Sequence, residues 1–229
     1  MCCKSYKYIY RFSKKVDFIR KADSITFLRV LLTLFAVYLI FVKFDVWAVA
    51  LLLFIVFWLD WLDGVAAAIA ASGGGISFIG YIRGTMGDKP MRNKIAAAKK
   101  KAAAQSGYGP RLDIAGDRAV EYILWFAYLI LGLVPLIVVL VLVAVHSYAD
   151  AMMGSRGTSS KMRKKITRIV YSSHFGRYLG GVLKAATFIY LAFVYITAYP
   201  VVIGDVLIAV TFAFILLRGA VQIYENMGR

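Results

Sequence analysis

Residues 46–71 read VWAVALLLFIVFWLDWLDGVAAAIAA, a stretch that is apolar as far as Leu59 and then carries Asp60 and Asp63. The hydrocarbon core of a bilayer is about 30 Å thick, so a helix needs roughly 20 largely apolar residues to cross it. The stretch therefore predicts a membrane-spanning helix with two carboxylates toward its C-terminal end. Three consecutive glycines, residues 73–75, follow it and should end the helix.

Apolar runs of the same kind recur along the chain, and hydrophobic residues make up 61% of the sequence, a composition suited to a bilayer rather than to water. The region 110–153 holds two such runs, with a break at Gly132 to Pro135. We expect an all-α integral membrane protein whose residues 25–229 form one domain with six transmembrane helices. The predicted crossings are about 25–42, 46–71, two within 110–153, 178–198 and 201–217.

The basic residues indicate an orientation. The chain has 28 Lys and Arg against 12 Asp and Glu, and nearly all the basic residues fall in short segments between the apolar runs. The positive-inside rule then places both termini and the segments 73–111 and 154–177 in the cytoplasm. This distribution favours membrane lipid over nucleic acid as a partner. We thus expect a multi-pass membrane protein.

Two segments lie outside the predicted crossings. Residues 1–24 mix basic and aromatic residues and predict a basic amphipathic juxtamembrane helix that rests on the membrane interface. Residues 73–108 form a polar segment that ends in AAAKKKAAAQ, residues 96–105, whose helix propensity is high. We expect this segment to be a cytoplasmic insertion with a short helix outside the membrane.

Four of the scarce acidic residues fall in two pairs at the predicted cytoplasmic ends of the second and third crossings. Asp60 and Asp63 are three residues apart, and Asp113 and Asp117 are four apart, so each pair shares one helix face. Carboxylates close to hydrocarbon are costly and need a cation. Oxygen ligands suit Mg²⁺ or Mn²⁺, and no His or Cys stands at these positions to suggest zinc.

The two pairs belong to longer patterns, D-x-x-D-G-x-x-A at 60–67 and G-x-x-x-D-x-x-x-D at 109–117. Here the chain resembles the CDP-alcohol phosphotransferase family, whose signature lies on the second and third of six membrane helices. The segment SITFLR at 24–29 also looks like the start of that family's first helix. Two departures stand out: Ala68 replaces the family's arginine, and the spacer from Ile69 to Tyr108 is much longer than usual. Loop closure costs little more for a longer loop, so an insertion can leave the motif intact.

The resemblance implies a reaction and a role for each motif residue. A CDP-linked lipid would donate its lipid-phosphate group to a small alcohol, with release of CMP. Asp60, Asp63 and Asp113 would bind two divalent ions, Mg²⁺ or Mn²⁺, while Asp117 would complete the second metal site and act as general base. Small residues would leave room for the donor nucleotide, namely Gly64, Ala67 and Gly109. Arg83 or Arg111 could supply the phosphate contact that Ala68 cannot make. The family also suggests a homodimer.

The acceptor is less well defined by the sequence. Basic residues of the loop after the fourth crossing could bind a phosphorylated polyol such as glycerol phosphate or inositol phosphate, and His146 could reach the same cavity. The loop residues in question are Lys161, Arg163 and Arg168. The positive-inside rule and attraction to anionic headgroups explain the same charges more simply, and other alcohols stay open.

Three other interpretations of the acidic residues remain. The carboxylates could serve a small divalent-cation transporter or channel, although such sites usually lie between repeated halves and no repeat is visible. They could also be paired with nearby Lys or Arg for structural reasons alone. Finally, Gly80, Gly84 and Asp88 repeat the four-residue step of the second half-motif, but they lack its middle aspartate and no apolar run follows them.

Overall fold

The computed structural model describes residues 21–105, 109–154, 170 and 174–227, and these residues are almost entirely α-helical. The all-α prediction is confirmed for this part of the chain. The predicted interfacial helix at 1–24 falls mainly outside the described residues, as does the predicted basic segment at 154–177. The helices are α1 Lys21–Phe41, α2 Val46–Ala71, α3 Phe78–Thr85, α4 Lys89–Gln105, α5 Gly109–Ile130, α6 Leu136–Gly154, α7 His174–Thr197 and α8 Val201–Met227.

The long helices lie where the crossings were predicted, but they differ in apolar length. Three carry stretches long and apolar enough to span a membrane: Ser24–Phe41 in α1, Tyr178–Thr197 in α7 and Val201–Glu225 in α8. The apolar parts of α2 and α6 are shorter, Val46–Leu62 and Leu136–Met152. Within the described residues, three helices therefore have the properties of membrane spans, and six crossings remain a prediction.

Left-handed residues end several of these helices where the sequence predicted a break. Lys43 (φ 51°) follows α1, with Phe44 N–H donating to Leu39 O at 3.0 Å and Lys43 N–H to Ile40 O at 2.9 Å. Gly132 (φ 73°) ends α5 with the equivalent pair of bonds, from Leu133 N–H to Tyr128 O at 2.9 Å and from Gly132 N–H to Leu129 O at 3.0 Å. This is the Schellman arrangement, which satisfies carbonyls that have no partner within the helix. The turns at 42–45 and 131–135 are therefore fixed locally.

The chain divides into two compact units, and α1, α2 and α5 contribute residues to both. The described part of the first unit comprises residues 21–29, 58–105 and 109–117; that of the second comprises 30–57, 118–154, 170 and 174–227. In the first unit α3 packs against α4. Its apolar core joins the end of α2 to these two helices and consists of Val65, Ala68, Ile76, Tyr81, Ile95 and Ala98.

The second unit has the larger core, in which α8 packs against both α6 and α7. Phe188 lies at its centre, with the Tyr128 ring stacked on it and the Trp125 ring edge-on at 4.8 Å. The Tyr128 hydroxyl donates to the backbone oxygen of Phe188 at 2.6 Å. Between α7 and α8 the buried hydroxyls of Thr187 and Thr211 lie 2.7 Å apart. Small and hydroxyl-bearing side chains at helix contacts are typical of packing within membranes.

Candidate functional site

A buried arginine joins the two halves of the acidic motif within the first unit. Arg29 Nη1 lies 2.8 Å from Asp60 Oδ1, and Arg29 Nη2 lies 3.0 Å from Asp117 Oδ1. Asp60 is on α2 and Asp117 is on α5, so one guanidinium connects three helices of the same unit. The planar fork of an arginine suits two carboxylates at once, whereas a lysine ammonium would act as a single point. The prediction that these two aspartates converge agrees with this geometry.

The three side chains differ in exposure. The side chain of Arg29 is 3% exposed, whereas those of Asp60 and Asp117 are 46% and 39% exposed. The guanidinium therefore lies beneath the two carboxylates, which remain accessible from the other side. A buried cation between two anions compensates charge that would be costly in an apolar environment. Pairing with an arginine was one of the interpretations left open by the sequence, and it holds for Asp60 and Asp117.

A glycine next to Asp117 permits this arrangement. A Cβ atom at Gly116 would collide with the side chain of Thr26 on α1. Because glycine has no side chain, α5 can approach α1 closely at this level. Asp117, the next residue, is thereby brought within hydrogen-bonding distance of Arg29, which lies about one turn beyond Thr26 on α1.

The other motif residues are placed by their helices only. Asp63, Gly64 and Ala67 lie on α2, and Gly109 and Asp113 on α5, but their side chains are outside the described part of the structure. By helix periodicity Asp63 is one turn from Asp60, and Asp113 is one turn from Asp117. Among the described side chains, which include neither Asp63 nor Asp113, no group of three metal-ligating residues is found. The predicted four-carboxylate metal site stays a prediction.

Ala68, which stands where the resembling family has an arginine, is fully buried against the insertion. It is 0% exposed and packs in the apolar cluster with Tyr81 of α3 and Ile95 of α4. An arginine would not fit here without moving α3 and α4. The two departures from the pattern of the resembling family therefore lie together, because α3 and α4 of the long spacer cover residue 68. The candidate replacement Arg83 is exposed on α3, and the side chain of Arg111 is outside the described residues.

Gly80, Gly84 and Asp88, which repeat the spacing of the second half-motif, have structural roles instead. Gly80 and Gly84 are buried where α3 meets α4, and a Cβ at Gly84 would lie 2.5 Å from Ile95 Cδ1. The carboxylate of Asp88 accepts the backbone N–H of Met91 at 3.1 Å and so caps α4. These contacts explain all three residues without a role in chemistry.

The second unit contains a separate ionic cluster that the sequence analysis did not predict. Glu121 on α5 is 4% exposed and accepts from the Lys184 ammonium on α7 and from Arg118 Nη1 at 3.2 Å. Arg118 also donates from Nε and Nη2 to the two oxygens of Asp150 on α6, at 2.6 and 3.2 Å. Two acids and two bases thus balance within three helices. The sequence signal was present, because ionisable residues within apolar runs normally pair with one another.

His146, predicted to reach the acceptor, lies within this cluster. It is 5% exposed, and its Nδ1 is 3.6 Å from Glu121 Oε2, which is longer than a hydrogen bond. Its ring is tilted against that of Tyr122, with centroids 6.0 Å apart. The structure therefore packs His146 among protein groups of the second unit. The other predicted acceptor residues, Lys161, Arg163 and Arg168, are outside the described residues.

Comparison with known proteins adds no further assignment. The chain matched no protein-family model, no curated protein and no solved structure.

Proposed function

We propose that this protein is a metal-dependent CDP-alcohol phosphotransferase that moves a lipid-phosphate group from a CDP-linked lipid to a small alcohol. The observation that carries the proposal is the double ion pair of Arg29 with Asp60 and Asp117. It brings together the first half of the signature, on α2, and the second half, on α5, although they are far apart in sequence. A chance match of two unrelated patterns would not require this proximity.

The donor set of the site fits hard divalent cations. Four carboxylates, Asp60, Asp63, Asp113 and Asp117, carry four negative charges against the single positive charge of Arg29, so the motif still attracts cations. These four residues would hold two Mg²⁺ or Mn²⁺ ions. When bound, the ions would neutralise charge on the donor diphosphate and on the leaving CMP.

Residues of the chain itself would remove the proton of the acceptor hydroxyl and orient the carboxylate that receives it. Asp117 takes the proton from the acceptor hydroxyl, whose oxygen forms a bond to the lipid-bearing phosphorus while the bond from that phosphorus to CMP breaks. Arg29 holds one oxygen of Asp117 in place at 3.0 Å, which fixes the direction of the carboxylate. Gly64, Ala67 and Gly109 leave the faces of α2 and α5 open to the nucleotide.

The proposal extends to topology and assembly. Six crossings, formed by α1, α2 and α5 to α8, would place both termini and the acidic motif on the cytoplasmic side, as the positive-inside rule requires. Residues 1–24 would lie on that surface as an amphipathic helix. The functional form would be a homodimer. These statements rest on charge distribution and on the resemblance.

The acceptor is proposed to be a phosphorylated polyol. Lys161, Arg163 and Arg168 would bind its phosphate, since arginine and lysine favour such groups. Burial of His146 beside Glu121 makes it a packing residue rather than an acceptor ligand in this proposal.

The test uses purified protein with a CDP-linked lipid, Mg²⁺ or Mn²⁺ and a panel of alcohols that includes glycerol phosphate, inositol phosphate and serine. The proposal predicts CMP release with one acceptor and none when the divalent ion is chelated. No CMP with any acceptor, together with divalent-ion flux in proteoliposomes, would favour a cation transporter instead. For aspartate-to-asparagine variants of the motif, the matched control is Asp45→Asn, because Asp45 is an exposed residue that caps α2 outside the motif.

A further inference from the structure

Helix α3 has two faces of opposite surroundings. Gly80, Tyr81 and Gly84 are buried toward the protein, where the glycines allow close contact with α4. Phe78, Ile79 and Met86 point the other way and are 45%, 65% and 84% exposed. At 100° per residue these three and the half-buried Ile82 fall within one arc of the helix. The outward face of α3 is therefore apolar.

A tryptophan of α2 lies beside this face. The Trp61 ring meets Phe78 edge-on with centroids 6.2 Å apart, and it meets Tyr81 in the same way at 6.3 Å. Trp61 is the second-last residue of the apolar stretch Val46–Leu62, and it is 38% exposed. Tryptophan is enriched where the hydrocarbon core meets the headgroups. Contact with Trp61 thus places α3 beside the end of the apolar part of α2, which the predicted topology assigns to the cytoplasmic membrane interface.

The surroundings of the face are basic. The helices α3 and α4 and the turn between them expose Arg83, Lys89, Arg92, Lys94 and Lys100. The only acidic residue of residues 78–105 is Asp88, whose carboxylate caps α4. An apolar face with a basic rim complements a bilayer surface that carries anionic headgroups. A protein partner would not require one sign of charge throughout.

We propose that the α3–α4 hairpin, residues 78–105, docks on the bilayer surface and recognises anionic lipid headgroups. The outward face of α3 enters the headgroup region, and the exposed lysines and arginines contact the headgroup phosphates. The insertion is then a membrane-binding element that holds the first unit against the lipid surface. This inference does not depend on the proposed transferase activity, and its test requires none.

The test measures the depth of α3 in the full-length protein. Cys2 and Cys3 are replaced by serine, and a single cysteine is introduced at Ile79, at Met86 or at the exposed control position Asn93 of α4. Each variant is spin-labelled and reconstituted in nanodiscs of phosphatidylcholine alone or mixed with phosphatidylglycerol. We expect labels at Ile79 and Met86 to be accessible to oxygen but shielded from a water-soluble nickel reagent. The label at Asn93 should be accessible to nickel.

Three results would overturn the proposal. Nickel access at Ile79 and Met86 equal to that at Asn93 would place the face of α3 in water. Shielding from both reagents would indicate a protein partner or another segment of this chain. Dipolar broadening between labels would indicate a second copy.

Removing single positive charges from the hairpin tests whether it recognises anionic lipid. In discs with phosphatidylglycerol, Arg83→Gln and Arg92→Gln should each lower the ratio of docked to undocked hairpin on the order of fivefold. Discs of phosphatidylcholine alone should show little change. Equal effects in both lipids, or none in either, would contradict recognition of anionic headgroups.

Discussion

Introducing an arginine at residue 68, the position at which the resembling family carries one, should damage this protein rather than improve it. Ala68 is 0% exposed, and its neighbours Ile76, Tyr81 and Ile95 are apolar. A larger side chain in a packed core costs about 1–3 kcal/mol, and an unpaired buried charge costs several more. Ala68→Arg should therefore weaken the docking of the α3–α4 hairpin by about 3 kcal/mol or more.

Hydrogen exchange provides the assay, because it reports the opening of individual helices. A loss of about 3 kcal/mol corresponds to roughly a hundredfold faster exchange of protected amides in residues 78–105. The matched control is Ala70→Arg, since Ala70 is exposed two residues later on the same helix. If both variants exchange at the wild-type rate, the hairpin does not cover Ala68 and the link between the two departures from the family pattern is wrong.

Three further predictions concern the charged residues. Arg29→Gln removes the cation shared by two half-exposed carboxylates and should lower the free energy of unfolding by about 1 kcal/mol, with Arg29→Lys retaining part of it, as measured by thermal unfolding in detergent. Asp117→Asn should abolish CMP release but leave donor binding measurable by titration, because it removes the base and keeps an oxygen toward Arg29; Asp63→Asn should weaken metal and donor binding as well. Glu121→Gln leaves Lys184, whose side chain is only 17% exposed, without its counter-ion and should cost about 3 kcal/mol, whereas the double variant with Lys184→Met should recover much of it in a double-mutant cycle.

Each of these expectations has a clear contrary result. Full stability of Arg29→Gln would mean that the ion pairs contribute nothing. Normal turnover of Asp117→Asn would remove the assigned base. Strict additivity in the cycle would show that the Glu121 and Lys184 side chains do not interact.

The helix positions could be predicted because they depend on local signals. Apolar length marks α1, α2 and α6 to α8, and the breaks coincide with Lys43, Gly73 and Gly132, each at positive φ. Helix α4 follows from its alanines and lysines. Helix α3 was not predicted, because FIGYIRGT contains two glycines that favour a loop when considered alone. The two glycines lie in a helix because α3 packs closely against α4, and this contact is not visible in the local sequence.

In the candidate site too, residues that belong to a local pattern could be predicted, whereas ion pairs between residues far apart in the sequence could not. Spacing identified Asp60 and Asp117, because each belongs to a pattern within one helix. Arg29 was named only as the last residue of SITFLR at the start of the first crossing, and its pairing was not predicted because Asp117 is 88 positions away. The pairing of Glu121 with Lys184 spans 63 positions and was missed for the same reason. A single sequence shows that such charges need partners but does not say which.

Binding of Mn²⁺ to the purified chain tests the central claim most directly. We predict saturable binding of about two ions per chain by electron paramagnetic resonance when a CDP-linked lipid is present, with binding lost in Asp60→Asn and in Asp63→Asn but kept in the control Asp45→Asn. Absence of saturable binding, or equal binding in all of these variants, would contradict a metal site built from these aspartates.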